Sequence, residues 1–438
     1  MDGALPKKPY RLASRQGFQR SRARLKLGLV SDPPAPETPR LSARQVWVLT
    51  LASAVVTANA YYIHPIIARV AEDFQVRSST IGLVPALNQL ALALGIFLLL
   101  PLGDRYSNRT LTAIFVAGQF VSIAVMTFAS DFRLFLIGST ALGFVTIAPY
   151  LLPTYASKRV DPSELGKVTA ILTTGIIAGI LSARAGAGVI AEHFGWRTVY
   201  YIATGLMFLV AIVLPFTMDK REAASARETG TSYAKLIFSM VPMIGRYPEL
   251  ILSGAIQGLN FGIFISIWLG IGLHLTSPEM GYGVDVVGYL ALFAIVNLIT
   301  TPRFGTWADK VGARKARLYV AIFQFLGVCL FFFFGYNLWL LMIPILITNI
   351  FGPVIDVTGR MTFLNEPPDV RTRLMTIYIV MMFVGGGLAS WAGTSAYDLW
   401  GWTGNAVLAA SMSAIVLILC IIAQMRFSKA ANEKSPPV

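Results

Sequence analysis

The sequence predicts an all-α membrane protein of twelve transmembrane helices in two pseudo-symmetric six-helix bundles. Three observations predict it. Of 438 residues, 55% are hydrophobic and only 13% charged, where a soluble domain carries about 25% charge. The apolar residues form continuous runs of about the 20 residues that a helix needs to cross a bilayer. Because the runs do not alternate, helices and not barrel strands satisfy the backbone in hydrocarbon. The third observation is where the charges fall.

Apolar runs are predicted at 45–68, 80–102, 111–129, 133–156, 167–190, 197–217, 248–273, 285–304, 317–335, 338–358, 373–396 and 404–426. With residues 1–44 in the cytosol, 30 of the 36 Lys and Arg residues fall in cytosolic segments. Only Arg69, Arg77, Arg133 and Arg197 fall outside, and Arg184 and Arg360 lie within spans. This split obeys the positive-inside rule, and one span more or fewer would scramble it. The net charge of +14 is therefore read as membrane orientation, not as a nucleic-acid surface.

The charge pattern sets the organisation. Residues 1–44 hold ten Lys and Arg against three acids and predict a disordered basic cytosolic tail. A first bundle at 45–217 and a second at 248–426 flank a charged cytosolic linker at 218–247, and 427–438 form a cytosolic C-tail. Six spans on each side of a linker is the layout of a transporter with its substrate site between related halves. Cys329 and Cys420 lie inside apolar runs and read as core residues. No disulfide framework, metal site or cofactor is expected.

The halves share a motif. Pro101-Leu102-Gly103-Asp104-Arg105-Tyr106-Ser107-Asn108-Arg109 follows the second run. Gly305-Thr306-Trp307-Ala308-Asp309-Lys310-Val311-Gly312-Ala313-Arg314 follows the eighth. Each places an acid at a helix end, a cation beside it and an Arg five residues on. An acid so placed pairs with Arg or with a neighbouring helix N-terminus. Asp104, Arg105, Arg109, Asp309, Lys310 and Arg314 are thus expected to form a conformational clasp on the cytosolic side.

At these residues the sequence resembles the major facilitator superfamily, whose loop signature runs G-x-x-x-D-[RK]-x-G-x-[RK]. The second copy matches every fixed position, while the first has Leu100 and Ser107 where the signature has Gly. The resemblance covers about residues 45–426. Tyr61-Tyr62-Ile63-His64-Pro65 is similar to the Tyr-Tyr-Asn-Gln-Pro stretch of a bacterial drug-efflux-like subgroup. Gly179 to Arg184, Gly195-Trp196-Arg197 and Gly385-Gly386-Gly387 fit the same subgroup. The antiporter pattern departs at Ala183-Arg184 and Ala187-Gly188 in helix five, and at Ser139 in helix four. The resemblance implies alternating access and proton-coupled efflux of a drug or secondary metabolite.

Arg184 is the sharpest site candidate, because a charge at mid-bilayer needs a partner or an aqueous cavity. It reads as an anion-binding or gating residue, or as a structural cation paired inside the bundle. Asp356 is expected either to carry a proton or to pair with Arg360 four residues on. His64, beside Tyr61 and Tyr62, is a second proton-coupling candidate; the aromatic pair equally fits an interfacial belt. Asn59, Asn88, Gln89, Gln119, Gln257, Asn260 and Asn297 are candidate cavity residues, with helix-to-helix hydrogen bonding as the competing role. Trp268 and Phe264 read either as packing against lipid or core, the default for such residues, or as stacking on an aromatic substrate. His193 and His274 are expected at the surface.

The expected function is secondary active transport by a monomer in the plasma membrane with both termini cytosolic. A small molecule is the substrate and a proton the coupling ion. Uptake of a small metabolite such as a carboxylate is the alternative, and a membrane sensor or receptor the alternative of another class. The spans show no paired catalytic acids or nucleophile constellation, so no enzyme is expected. No Gly-rich loop ending in Lys-Ser/Thr follows a strand, so ATP-driven transport lacks its motif.

Overall fold

A computed structural model describes residues 40–157, 159–161, 163–219, 233–363 and 366–432. All but the last residues of the predicted tail, and much of the linker, lie outside the described residues. Among those described, every regular element is a helix. The spans are α1 (Ala43–Asp73), α2 (Ser78–Gly103), α3 (Asn108–Thr127), α4 (Phe132–Ser157), α5 (Leu165–Phe194) and α6 (Trp196–Thr217). The second half holds α7 (Pro248–Leu275), α8 (Val284–Val311), α9 (Ala313–Phe334) and α10 (Leu338–Met361). A last helical stretch, Val370–Phe427, is far too long for one crossing. It breaks at Trp400 and Gly401, where Gly401 adopts φ 58°, a conformation that favours glycine. The break separates α11 (370–399) from α12 (402–427) and gives the twelve spans expected. Two short helices, Tyr233–Phe238 and Val241–Arg246, lie in the linker.

Prolines set the breaks inside the spans. A proline lacks an N–H and clashes with the carbonyl four residues earlier. In α1 the regular helix stops at Ala58 and resumes at Ile63, just before Pro65. Tighter three-residue hydrogen bonds bridge the gap, including His64 N–H to the Tyr61 carbonyl. Pro85 follows a break at Gly82 in α2, and Pro149 a break at 146–147 in α4. The first of these breaks shapes the site described below.

Starts are equally legible. Ser42 caps α1 in a reciprocal box with Gln45, Asp131 caps α4, and Asn337 caps α10 through the Trp339 and Leu340 N–H groups. The two loop motifs part company here. Gly312 turns α8 directly into α9 at φ 95°. Ser107 stands in the equivalent place at φ −56° and caps α3 instead, accepting from the Thr110 N–H. A side chain is admitted there because the backbone is not left-handed.

The spans run past their predicted limits. α8 reaches Val311 and α9 begins at Ala313, so the expected loop at 305–316 is almost wholly helical. The face bearing Arg40, Thr217 and Glu249 is called the basic face here, and the opposite one the far face. Near the far face, Phe74, Phe135, Trp196 and Tyr200 pack with ring centroids 5.4–5.7 Å apart, tying α1, α4 and α6. Each such pair adds about 0.5–1.5 kcal/mol beyond burial. Of the two histidines expected at the surface, His193 is exposed and His274 is not. His274 stacks on Trp402 at 4.8 Å and reaches the Gly335 carbonyl at 3.2 Å.

Candidate functional site

Small residues let α5 approach α1 closely. A Cβ on Gly179 would meet the Ala54 backbone, and one on Gly175 would meet Thr50. This contact carries Arg184 to the break in α1, where the chain turns Tyr61 and His64 inward. Arg184 is 2% exposed and His64 fully buried. Arg184 Nη2 lies 2.9 Å from His64 Nδ1. A guanidinium only donates, so Nδ1 accepts and the imidazole is the neutral Nε2–H tautomer.

Aromatic rings complete the enclosure. The guanidinium carbon lies 5.3 Å from the Tyr61 ring, 4.5 Å from Phe264 and 4.8 Å from Trp268. Phe264 and Trp268 come from α7, so both halves build the site. Among the described residues no carboxylate pairs with Arg184. Its Nε and the His64 Nε2 are buried without hydrogen-bond partners.

Burying an ion costs several kcal/mol. A desolvated cation–π contact returns about 2 kcal/mol and a hydrogen bond to a charged group about 1.5–3 kcal/mol. The enclosure therefore holds the charge while leaving donors unused. Such a site suits an anion that accepts from Arg184 and lays an apolar body on Phe264 and Trp268.

The far face is closed over this site. Gly188 of α5 packs on Gly288 of α8, one turn beyond Arg184. Glu192 accepts from the Val284 N–H at 3.0 Å and faces Arg69 at 3.6 Å. Ser79 donates to Asp398 at 2.8 Å. Toward the basic face a run of rings leaves the site: Phe264 to Phe261 at 5.9 Å, Phe261 to Phe383 at 5.5 Å, Phe383 to Tyr150 at 6.3 Å.

The other predicted residues divide. Asn59 and Gln89 are buried and keep polar atoms without partners, as does Asn297, which is only partly buried. Asn88 donates to the Ser139 carbonyl at 2.7 Å, and Gln119 to the Val56 carbonyl and the Thr146 hydroxyl. Asn260 donates to Gln257 and to the Gly352 carbonyl. All but the Asn260–Gln257 bond, which lies within α7, tie helices together within one half, and Asn88, Gln119 and Asn260 each also keep a side-chain oxygen without a partner. Asp356 and Arg360 form a bidentate pair at 2.9 Å, the structural pairing expected as one of two roles for Asp356.

The expected clasp takes a different form. Arg314 holds Glu249 at the start of α7, through two bonds of 2.6 and 2.7 Å. Helical continuation of α8 turns Asp309 and Lys310 outward, and both are exposed. Arg109 donates to the Pro215 carbonyl at 2.7 Å and Arg105 is exposed. The side chain of Asp104 lies outside the described residues. Arg317, counted as a loop charge in the sequence, is fully buried in α9 and donates to Ser253 at 2.8 Å. It shares a helical face with Val320, Ala321 and Gln324, all buried, and that spacing is the signal that it turns inward. Two cavities lie on the basic face. One of about 370 Å³ is lined by Gln45, Arg109 and Thr217, and one of about 210 Å³ by Arg246, Glu249 and Thr362.

The sequence model described as Major Facilitator Superfamily matches residues 49–366 and again 250–437. The chain belongs to that superfamily. It is 26% identical over 383 residues to the uncharacterized transporter YgaY of Escherichia coli O157:H7, covering 86% of this chain and 95% of that protein. It is 22% identical to the multidrug resistance protein MdtG of Klebsiella pneumoniae, covering 77% and 81%. Among solved structures, the nucleoside transporter NupG superposes with a TM-score of 0.68 at 13% identity, covering 86% of this chain and 99% of that one. A bacterial homologue of the human lysosomal transporter Spinster, inward-facing and unoccupied, also gives 0.68, at 14% identity and 88% and 98% coverage. These likenesses establish the superfamily fold, and with it a multi-pass membrane transporter.

Proposed function

We propose that this protein is a secondary active transporter that carries a small organic anion by alternating access, with Arg184 as the binding cation. One observation carries the reading: a buried guanidinium without a carboxylate partner, enclosed by residues of both halves. Relative motion of the halves would open that enclosure to one face at a time. Asn59, Gln89 and Asn297, with unpartnered polar atoms, are proposed as further substrate contacts. The basic face is proposed as the cytosolic one, with both termini there, in the plasma membrane, and a proton gradient as the energy source.

Likeness to MdtG supports export of a drug or secondary metabolite as the direction. Uptake of a metabolite such as a carboxylate is the second reading, favoured by the positive charge of the site. The test is flux in proteoliposomes under imposed pH gradients of both signs, using a panel of radiolabelled organic anions, cations and neutral compounds. Transport of an anion by the wild type, lost in both Arg184→Ala and Arg184→Lys, is expected. Anion transport at wild-type rates by both variants would remove Arg184 from the site. Transport confined to cations or neutral compounds would remove the anion.

A further inference from the structure

The contact between Arg184 and His64 restricts how a proton can enter the site. Nδ1 accepts from Arg184 at 2.9 Å, so the imidazole is neutral while this bond stands. A proton on Nδ1 would place two cations at hydrogen-bond distance inside a buried enclosure of aromatic rings. That state needs a negative charge beside both. An anion there can accept from Arg184 and from a protonated His64 together. We infer that the Arg184–His64 pair loads a proton and an organic anion together, so that the two move across the membrane in the same direction.

Among the described residues, the charges on the elements around His64 are taken up elsewhere. α5 contributes Arg184 and also Glu192, which is taken by Arg69 and the Val284 N–H. From α6 comes Arg197, paired with Asp73 at 2.9 Å. From α8 comes Asp285, which stands beside Gly283. α2 carries no charged residue. α7 presents Trp268 and Gly272, and its His274 is stacked on Trp402. Tyr61 on α1 itself packs edge-on against the imidazole at 5.2 Å. The anion is thus the group whose arrival changes the charge balance at His64. The loose ends fit as well: Arg184 Nε and His64 Nε2 are buried donors with nothing to donate to.

This inference rests on the proposed anion site and sharpens it. Co-loading under an inward proton gradient drives uptake, so it selects the second direction above. It also gives His64 the coupling role and leaves Asp356 in its pair with Arg360.

The experiment is a proton count. Purified full-length protein in lipid nanodiscs, lightly buffered near pH 6.5, about where an ordinary imidazole titrates, is titrated with benzenesulfonate, methanesulfonate and benzoate. Both anion binding and proton uptake are recorded. Wild type is expected to take up about one proton per bound anion, and His64→Gln none, its amide oxygen still accepting from Arg184. Anion binding without proton uptake in the wild type overturns co-loading and leaves the anion site standing. Uptake undiminished in His64→Gln moves the proton elsewhere and overturns it too. Failure of all three anions to bind overturns the Arg184 site together with the inference. Should His64→Gln not fold, His64→Asn replaces it, with the same two outcomes.

Discussion

Gly188 crosses Gly288 so closely that a Cβ on Gly188 would stand 3.0 Å from the Gly288 Cα and 2.6 Å from the Val284 carbonyl oxygen. Two backbones meet there, one turn beyond Arg184, so neither can retreat as a side-chain tip would. Adding bulk forces α5 and α8 apart at the far face, at a cost of about 1–3 kcal/mol. An equilibrium between two access states shifts by roughly tenfold for about 1.4 kcal/mol. Gly188→Val and Gly288→Val are therefore expected to lower transport about tenfold. They should also raise labelling, from the far face, of a cysteine placed at Asn59 in a Cys329→Ser, Cys420→Ser background. Unchanged labelling would mean that this crossing is not the seal.

Trp268 and Phe264 hold the guanidinium at 4.8 and 4.5 Å. Removing one desolvated cation–π partner costs up to about 2 kcal/mol, and the lost ring also leaves a cavity. Trp268→Leu keeps an apolar side chain but not the π face. It is expected to weaken anion binding about tenfold, with thermal stability falling by only a few degrees. Trp268→Phe should recover most of the affinity. A Trp268→Leu protein that binds anions as the wild type does would show that the ring merely packs.

Legibility of this molecule followed the physics of each feature. Span number and parity were plain because hydrocarbon tolerates few charges, and the Lys and Arg pattern fixes them. Arg184 stood out for the same reason. His64 and Trp268 are candidates in their own right, but their contact with Arg184 is not legible, because they lie 120 and 84 positions away and meet it only through tertiary packing. The breaks at Pro65, Pro85 and Pro149 follow from one missing N–H each, yet polar residues near them could not be sorted by composition alone. Asn88 and Gln119 donate to neighbouring helices while each keeps an unpartnered amide oxygen, and both amide atoms of Asn59 are unpartnered. Arg317, the first residue of the predicted ninth run, is buried because helical pitch places it on one face with Val320, Ala321 and Gln324.

Arg314 and Glu249 join α9 to α7 on the basic face by a bidentate pair with both side chains 20–29% exposed. Such geometry is the favourable case for an ion pair, and partly buried pairs are screened less than surface ones. Glu249→Gln and Arg314→Gln should each lower the melting temperature more than the double substitution does, because a single change strands one charge. Thermal melts of the three variants in detergent measure this. Additive losses would show that the two side chains act independently.

Asp356 and Arg360 pose the remaining choice between structure and coupling. Their pair is bidentate, one helical turn apart, and the Tyr378 hydroxyl donates to the Asp356 carbonyl at 3.1 Å. Two charge-assisted bonds tie this carboxylate to Arg360 and give it a structural role. Removing it alone leaves Arg360 half-buried without its partner, and breaking a fully buried pair in this way costs about 3–5 kcal/mol. Since both side chains are about a third exposed, the loss should fall well below that range. Asp356→Asn is expected to express poorly, and the double variant Asp356→Asn, Arg360→Gln to recover stability. The deciding measurement is anion flux against pH in that double variant. A profile matching the wild type assigns the pair to the scaffold and leaves coupling to His64. A flat profile returns the proton to Asp356.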